Sequence, residues 1–348
     1  MSKLEKTLKM IKKGDIESKE KAQERLDNLT KPPGSLGRLE EIAIKLAGIY
    51  ANPFPVIKKK AHIVMVADHG IVEEGVSAFP QEVTTLMTKN FLNGGAAINV
   101  FSKQQDADLF LVDVGMKDTI DDKSIFQHKV KKGTDNFLKG RSMSREEAVK
   151  AIEVGISVTE EAIAKGANLI STGEMGIGNT TASTAILAVL TDKSLEDIVG
   201  PGTGLDAEKL NHKKEIIKKA LEKHRADPED PIDILSKVGG LEIAAMAGCM
   251  LAAAAHRKAV IIDGLISGAA ALIAYKLHGD VLDYMFASHI SAEPGHIKMY
   301  QILVLKPMLD LEMRLGEGTG AVLAINLIEA SCNIINKMAT FTEAGINK

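Results

Sequence analysis

Three glycine-rich loops carry the residues best suited to chemistry. The first is Gly173-Glu174-Met175-Gly176-Ile177-Gly178-Asn179-Thr180-Thr181, between an apolar run and a helical run. Glycines let a backbone approach an anion closely, and a helix start offers unpaired N–H groups and a positive dipole end. Asn179 and Thr180 can cap that helix and donate to a ligand. This is phosphate-holding chemistry without a GxxxxGK[ST] loop, and a GxGxxG reading fails because residue 181 is threonine. The second loop is Gly200-Pro201-Gly202-Thr203-Gly204, followed by Lys213. It could close over the same phosphate with Lys213 as a point charge, although a tight turn and a surface lysine explain it equally well. The third is Gly316-Glu317-Gly318-Thr319-Gly320, just before an apolar helix from Ala321. Capping by Thr319 accounts for part of this loop but not for Glu317. Partial burial raises a glutamate pKa toward neutrality, so Glu317 is a candidate general base.

These loops need elements to position them. Short apolar runs at His62–Ala67, Leu109–Val114, Asn168–Thr172, Ala259–Ile262 and Tyr284–Ser288 read as strands buried on both faces. Helical patterns lie between them, at Glu82–Phe91, Arg145–Lys165, Thr181–Leu190 and Leu241–Ala255. The expected fold is α/β: a Rossmann-like parallel sheet flanked by helices. Residues 1–50 and 321–341 are helical without strands, so a small helical domain from both termini (1–59 plus 321–348) is expected beside a large domain over 60–320. Linker candidates are Asn52–Pro55 and the charged loop Arg225–Pro231. Polar residues and glycines follow each strand: Asp68-His69-Gly70, Asp113 with Gly115, Gly173-Glu174, Asp263-Gly264 and His289. Ligands of open parallel sheets bind at that rim. For any single position, capping and turn formation suffice.

Bulk properties narrow the classes. The chain has 348 residues and a net charge of −3, which gives nucleic acid or an anionic membrane no electrostatic attraction. Cys249 and Cys332 are the only cysteines, which argues against a disulfide framework, excludes a Cys-only zinc site and suits a reducing, cytoplasmic setting. The apolar stretch 259–275 is interrupted by Asp263-Gly264 and divides better into strand and helix than into a membrane span. His289 and His296 bracket Ser291–Gly295 without a metal-ligand spacing, and no HExxH occurs, so no metal site is expected.

Several segments together resemble the nicotinate-nucleotide:dimethylbenzimidazole phosphoribosyltransferase family. They are Lys31-Pro32-Pro33-Gly34-Ser35-Leu36-Gly37-Arg38-Leu39-Glu40, Ala67-Asp68-His69-Gly70 with Glu74-Gly75-Val76, and the three glycine loops. Asp263-Gly264, Ser288-His289 with Glu293-Pro294-Gly295-His296, and Arg314-Leu315 complete the set, in order from about residue 29 to 330. The resemblance implies a homodimer or a heterodimer with a paralogue, no cofactor, and transfer of phosphoribose from nicotinate mononucleotide to a benzimidazole-type base. It implies Glu317 as general base and Glu174 at the ribose and reacting centre. It places Gly176, Gly178, Asn179, Thr180, Gly202, Lys213 and Ser291 around phosphate and ribose. Phe79, Met87, Met175 and Leu315 are the candidates for the base slot, though each also reads as plain core. An apolar slot would admit purines, plain benzimidazole or phenols beside 5,6-dimethylbenzimidazole.

Without the resemblance, other readings of this fold class stay open: a nucleotide-binding oxidoreductase, a metal-dependent hydrolase and a non-catalytic nucleotide-binding protein. Failure to bind NAD, activity that survives EDTA, and a requirement for Glu317 separate them.

Overall fold

The computed structural model describes every residue except Thr203, Asn347 and Lys348; the Thr203 of the second glycine loop therefore lies outside the described residues. Six parallel strands form the main sheet: β1 (Lys60–Ala67), β2 (Ala107–Gly115), β3 (Ile125–Gln127), β4 (Leu169–Met175), β5 (Ala259–Ile262) and β6 (Met285–Ala287). Their order is β3-β2-β1-β4-β5-β6, that of a doubly wound, Rossmann-like sheet. A small two-stranded sheet joins β7 (His289–Ile290) to β8 (Leu309–Asp310).

The five runs read as strands are β1, β2, β4, β5 and β6. β1 and β4 are buried nearly end to end, because helices cover both faces of a parallel sheet. The stretch 259–275 splits into β5 and the helix Leu265–Leu277. Residues Thr319–Lys337 are the one described stretch long and apolar enough to cross a membrane. They form two consecutive helices, Thr319–Leu323 and Ile325–Lys337, and most of their apolar residues are buried in the protein.

A second, smaller core joins the two ends of the chain: Ala22, Leu26, Leu29, Ala43 and Ala47 pack with Ile335. The terminal helices are not sealed off from the rest. Leu4, Ile11, Leu46, Ile49 and Ile328 belong to the main core, and the helix Lys3–Met10 packs on Leu241–Ala255. The charged segment Arg225–Pro231 is not a linker between domains. It joins the helices Ala207–His224 and Pro231–Val238, and Asp230 pins it by capping the second and by an ion pair with Arg145 at 2.7 Å.

The helix Leu241–Ala255 lies against β1, β2, β4 and β5, and all 15 of its residues are buried. Its small residues allow a close crossing with Arg145–Ala164. A Cβ on Gly248 would overlap the Ile152 carbonyl, and one on Gly155 would overlap that of Ala245. Overpacking at such a crossing is expensive. Gly248→Ala is therefore expected to lower the unfolding free energy by about 1–3 kcal/mol in urea titrations. Gly140→Ala, where a Cβ meets nothing within 4 Å, should change it little. Equal effects at the two sites would contradict the packing argument.

Candidate active site

β1 and β4 are neighbours in space, and the sheet's connections run outward from them in opposite directions. That is where a doubly wound sheet opens a crevice beyond the strand ends. A cavity of about 420 Å³ lies there. Of the residues singled out from sequence, it is lined by Glu174, Glu317, Gly176, Asn179, Thr180, Gly202, Ser291, Phe79, Met87, Met175 and Leu315. Gly178 and Lys213 are not on its surface. Gly178 instead starts the helix Asn179–Val189 at φ 95°, a conformation that favours glycine. Lys213 stands behind the wall, fully buried, with Nζ 2.9 Å from Thr180 Oγ1 and 3.4 Å from the Gly200 carbonyl. Burial pushes its ammonium down to about 8, against the attraction of Glu293.

Glu317 is held on every side. Its loop docks on β4 at Gly173, where a side chain would overlap the Glu317 carbonyl. The same carbonyl accepts a hydrogen bond from His62 Nε2 at 2.8 Å, and His62 Nδ1 accepts from the Ser171 hydroxyl at 2.8 Å. Burial holds His62 near 4, so this strut is a neutral imidazole with its proton on Nε2. The carboxylate Oε2 accepts the Ile98 N–H at 3.2 Å. Burial raises the Glu317 pKa above its ordinary value, the Ile98 bond opposes this, and Asp263 adds to it.

Glu174, at the end of β4, is pushed up to about 8. Burial is the main cause; the carboxylates of Glu242 and Asp263 add, and a hydrogen bond from the Asn179 amide opposes them. Glu242 is itself fully buried, with Oε1 2.6 Å from His69 Nε2.

Two capping expectations fail. Asn179 is the first helical residue rather than the cap, and its side chain serves Glu174. Thr319 likewise follows Gly318, and its hydroxyl donates back to the Gly316 carbonyl at 2.9 Å. In both cases a glycine at positive φ takes the cap position, which frees the polar side chain for the loop. Elsewhere on the rim the plain structural reading holds: Asp68 and Asp113 accept the backbone N–H groups of Lys117 and Met116. Among the described residues no group of three or more metal-ligating side chains occurs. His296 is buried and accepts the Ser291 N–H through Nδ1.

Five polar cavity residues were given no role from sequence: Asp263, Ser267, His289, Glu293 and Arg314. Asp263 directly follows β5, which pairs with β4, so its rim position was the available signal. Val83, also on the wall, precedes Met87 by one helical turn and shares its face. Phe79 and Leu315 are exposed within the mouth, at 50% and 59%, so neither is core; Met87 and Met175 are half-buried.

The lining thus combines apolar side chains with carboxylates and a glycine-led helix start, as in enzymes acting on small molecules. Comparison with known proteins sharpens this class. A family profile described as phosphoribosyltransferase matches residues 11–346. The chain is 53% identical to the nicotinate-nucleotide–dimethylbenzimidazole phosphoribosyltransferase of Desulforamulus reducens, covering 100% of both chains. It is 50% identical to that of Alkaliphilus metalliredigens, covering 99% of each. A crystal structure of CobT from Thermus thermophilus superposes with a TM-score of 0.92 at 43% identity, covering 95% of this chain and 99% of that one. The chain belongs to this phosphoribosyltransferase family.

The raised Glu174 pKa sets a pH dependence of stability. Its ordinary value is 4.5, and in the fold it is about 8. Below 4.5 both folded and unfolded chains carry the proton, and the neutral carboxyl is buried at no electrostatic cost. As pH rises toward 8, the unfolded chain releases a proton that the folded chain keeps, so stability is lost across that window. Glu174→Gln removes this loss. Urea titrations should find the variant about as stable as wild type near pH 5 and more stable above pH 8, by roughly 2–4 kcal/mol. A difference independent of pH would contradict the assignment.

Proposed function

We propose that this chain transfers the 5-phosphoribosyl group from nicotinate mononucleotide to 5,6-dimethylbenzimidazole or a related lower-ligand base. The products are α-ribazole 5'-phosphate and nicotinate, and the reaction serves cobamide nucleotide-loop assembly. The observation that carries this reading is a pair of buried carboxylates, Glu317 and Glu174, lining one cavity together with the apolar side chains of Phe79, Val83, Met87, Met175 and Leu315. Such a slot suits a flat aromatic ring presenting an N–H to a base.

In the proposed reaction a benzimidazole nitrogen attacks the anomeric carbon from the face opposite nicotinate. The bond from that carbon to the pyridine nitrogen breaks, and its electron pair neutralises the cationic ring, which makes nicotinate a good leaving group. The β-nucleotide becomes an α-product. The other benzimidazole nitrogen loses its proton to Glu317. A pKa raised above the ordinary carboxylate value makes Glu317 a stronger base. Glu174 sits where positive charge grows on the ribose. A cationic nucleotide beside it favours its ionised form, which then stabilises the transition state. Both partners held in line supply much of the acceleration.

In this reading the phosphate lies against Gly176, Thr180 and Gly202, with Lys213 behind them and Ser291 toward the ribose. The apolar wall also accommodates purines or phenols. Residues 1–59 with 321–348 form the helical unit around the catalytic one, and the working form is a homodimer, with a paralogue as the alternative partner.

The test is turnover of nicotinate mononucleotide and 5,6-dimethylbenzimidazole, followed by nicotinate release and α-ribotide formation. Glu317→Gln keeps the acceptor for Ile98 but removes the base, and should lower kcat by about 10²–10⁴-fold. Turnover within a few fold of wild type would remove Glu317 from the role. An absence of turnover by wild type with this base, adenine or phenol would overturn the proposed reaction.

A further inference from the structure

Glu293 precedes the helix Pro294–Leu303 and lines the cavity with 5% of its surface exposed. Its Oε1 accepts the Gly202 N–H at 2.9 Å. Its Oε2 is buried and has no hydrogen-bond partner among the described residues. The packing is tight: a Cβ on Gly200 would overlap Oε2, and one on Gly202 would stand 3.3 Å from Lys213 Nζ. Glu293 is the acidic group that acts on the buried Lys213, whose hydrogen bonds go to the neutral Thr180 hydroxyl and Gly200 carbonyl. Arg314 also attracts Glu293, and its Nη1 donates to the Gly202 carbonyl at 3.3 Å. Nearby, the Asn179 and Thr181 N–H groups already donate to the Gly176 and Gly178 carbonyls.

The groups best placed to hold an anion therefore converge on one carboxylate. A phosphate cannot simply be added, because two anions sharing these donors repel strongly at low dielectric. We propose that Glu293 is a built-in competitor of the phosphate: it occupies the Gly202 N–H and offsets the charge of Lys213 without forming an ion pair with it, and an incoming phosphomonoester takes over both roles. This inference rests on the phosphate position proposed above. It assigns Glu293 a positioning role, since the carboxylate acts through the loop and the ammonium rather than on the reacting bond. Its physical consequence is that the buried ammonium always has a counter-charge, at the cost of weaker phosphate binding.

The test is calorimetric binding of ribose 5-phosphate, which carries the phosphate but no leaving group, to wild type and variants. Glu293→Gln keeps an acceptor for Gly202 and loses the charge; it should bind at least about tenfold more tightly. Glu293→Ala removes charge and acceptor together and should also bind more tightly. A residue that merely fastened the loop would give the opposite sign in Glu293→Ala. Unchanged or weaker binding by both variants, with Lys213→Ala still weakening wild-type binding, would overturn the competitor role and leave the phosphate position standing. If Lys213→Ala leaves wild-type binding unchanged, the phosphate sits elsewhere and the proposal falls with it.

Discussion

The site depends on the contact between the Glu317 loop and β4. Gly173 has no side chain, so the Glu317 carbonyl can rest on the strand, and His62 from β1 fastens that carbonyl from the side. Gly316, Glu317 and Gly318 are consecutive residues at positive φ. For glutamate that conformation costs on the order of 1–3 kcal/mol, and it persists because the surroundings determine it. The result is a carboxylate aimed into the cleft from a rigid mount. The nearest analogue within the fold is Glu174, held by Asn179 from the next helix. Both acids belong to β4 or to a loop resting on it, so the central strand of the sheet sets their spacing.

Electrostatics give the cavity its character. Glu174, Asp263, Glu293 and Glu317 line it, and Arg314 is the only described lysine or arginine on its surface. Such a lining favours a ligand that brings positive charge at its reacting centre. It disfavours a phosphate unless backbone donors and a buried lysine hold that group apart. A pyridinium ribonucleotide has this distribution of charge, with its cationic ring and its phosphate on opposite sides of the ribose. The apolar wall contributes no charge and little polarity, so it orients a ring by shape.

Much of this was legible in the sequence because strands buried on both faces read as continuous apolar runs, and all five runs read this way became strands of the main sheet. Their rim residues, from Asp68 to His289, therefore fell at one edge. What escaped detection had little local signal. β3, β7 and β8 are two or three residues long, too short for any periodicity. Asn179 and Thr319 looked like caps because Asn and Thr usually are, whereas a preceding glycine can take that position instead. The partners that define the site are remote in the chain: His62 and Glu317 are 255 residues apart, His69 and Glu242 173, and Gly202 and Glu293 91. Spacing cannot reveal such pairs. Glu242 drew no attention in the sequence, its one local signal being a carboxylate at the start of an otherwise apolar helix.

The proposed chemistry requires the fold to make Glu317 a stronger base than a free glutamate. The direct measurement is a carbon-13 NMR titration of glutamate side-chain carboxyls, with the Glu317 resonance assigned by its loss in Glu317→Gln. The expected midpoint lies above the ordinary 4.5, since burial outweighs the Ile98 hydrogen bond. A midpoint at or below 4.5 would mean that the docked loop holds an ordinary, solvated carboxylate, and the account of the site would fail.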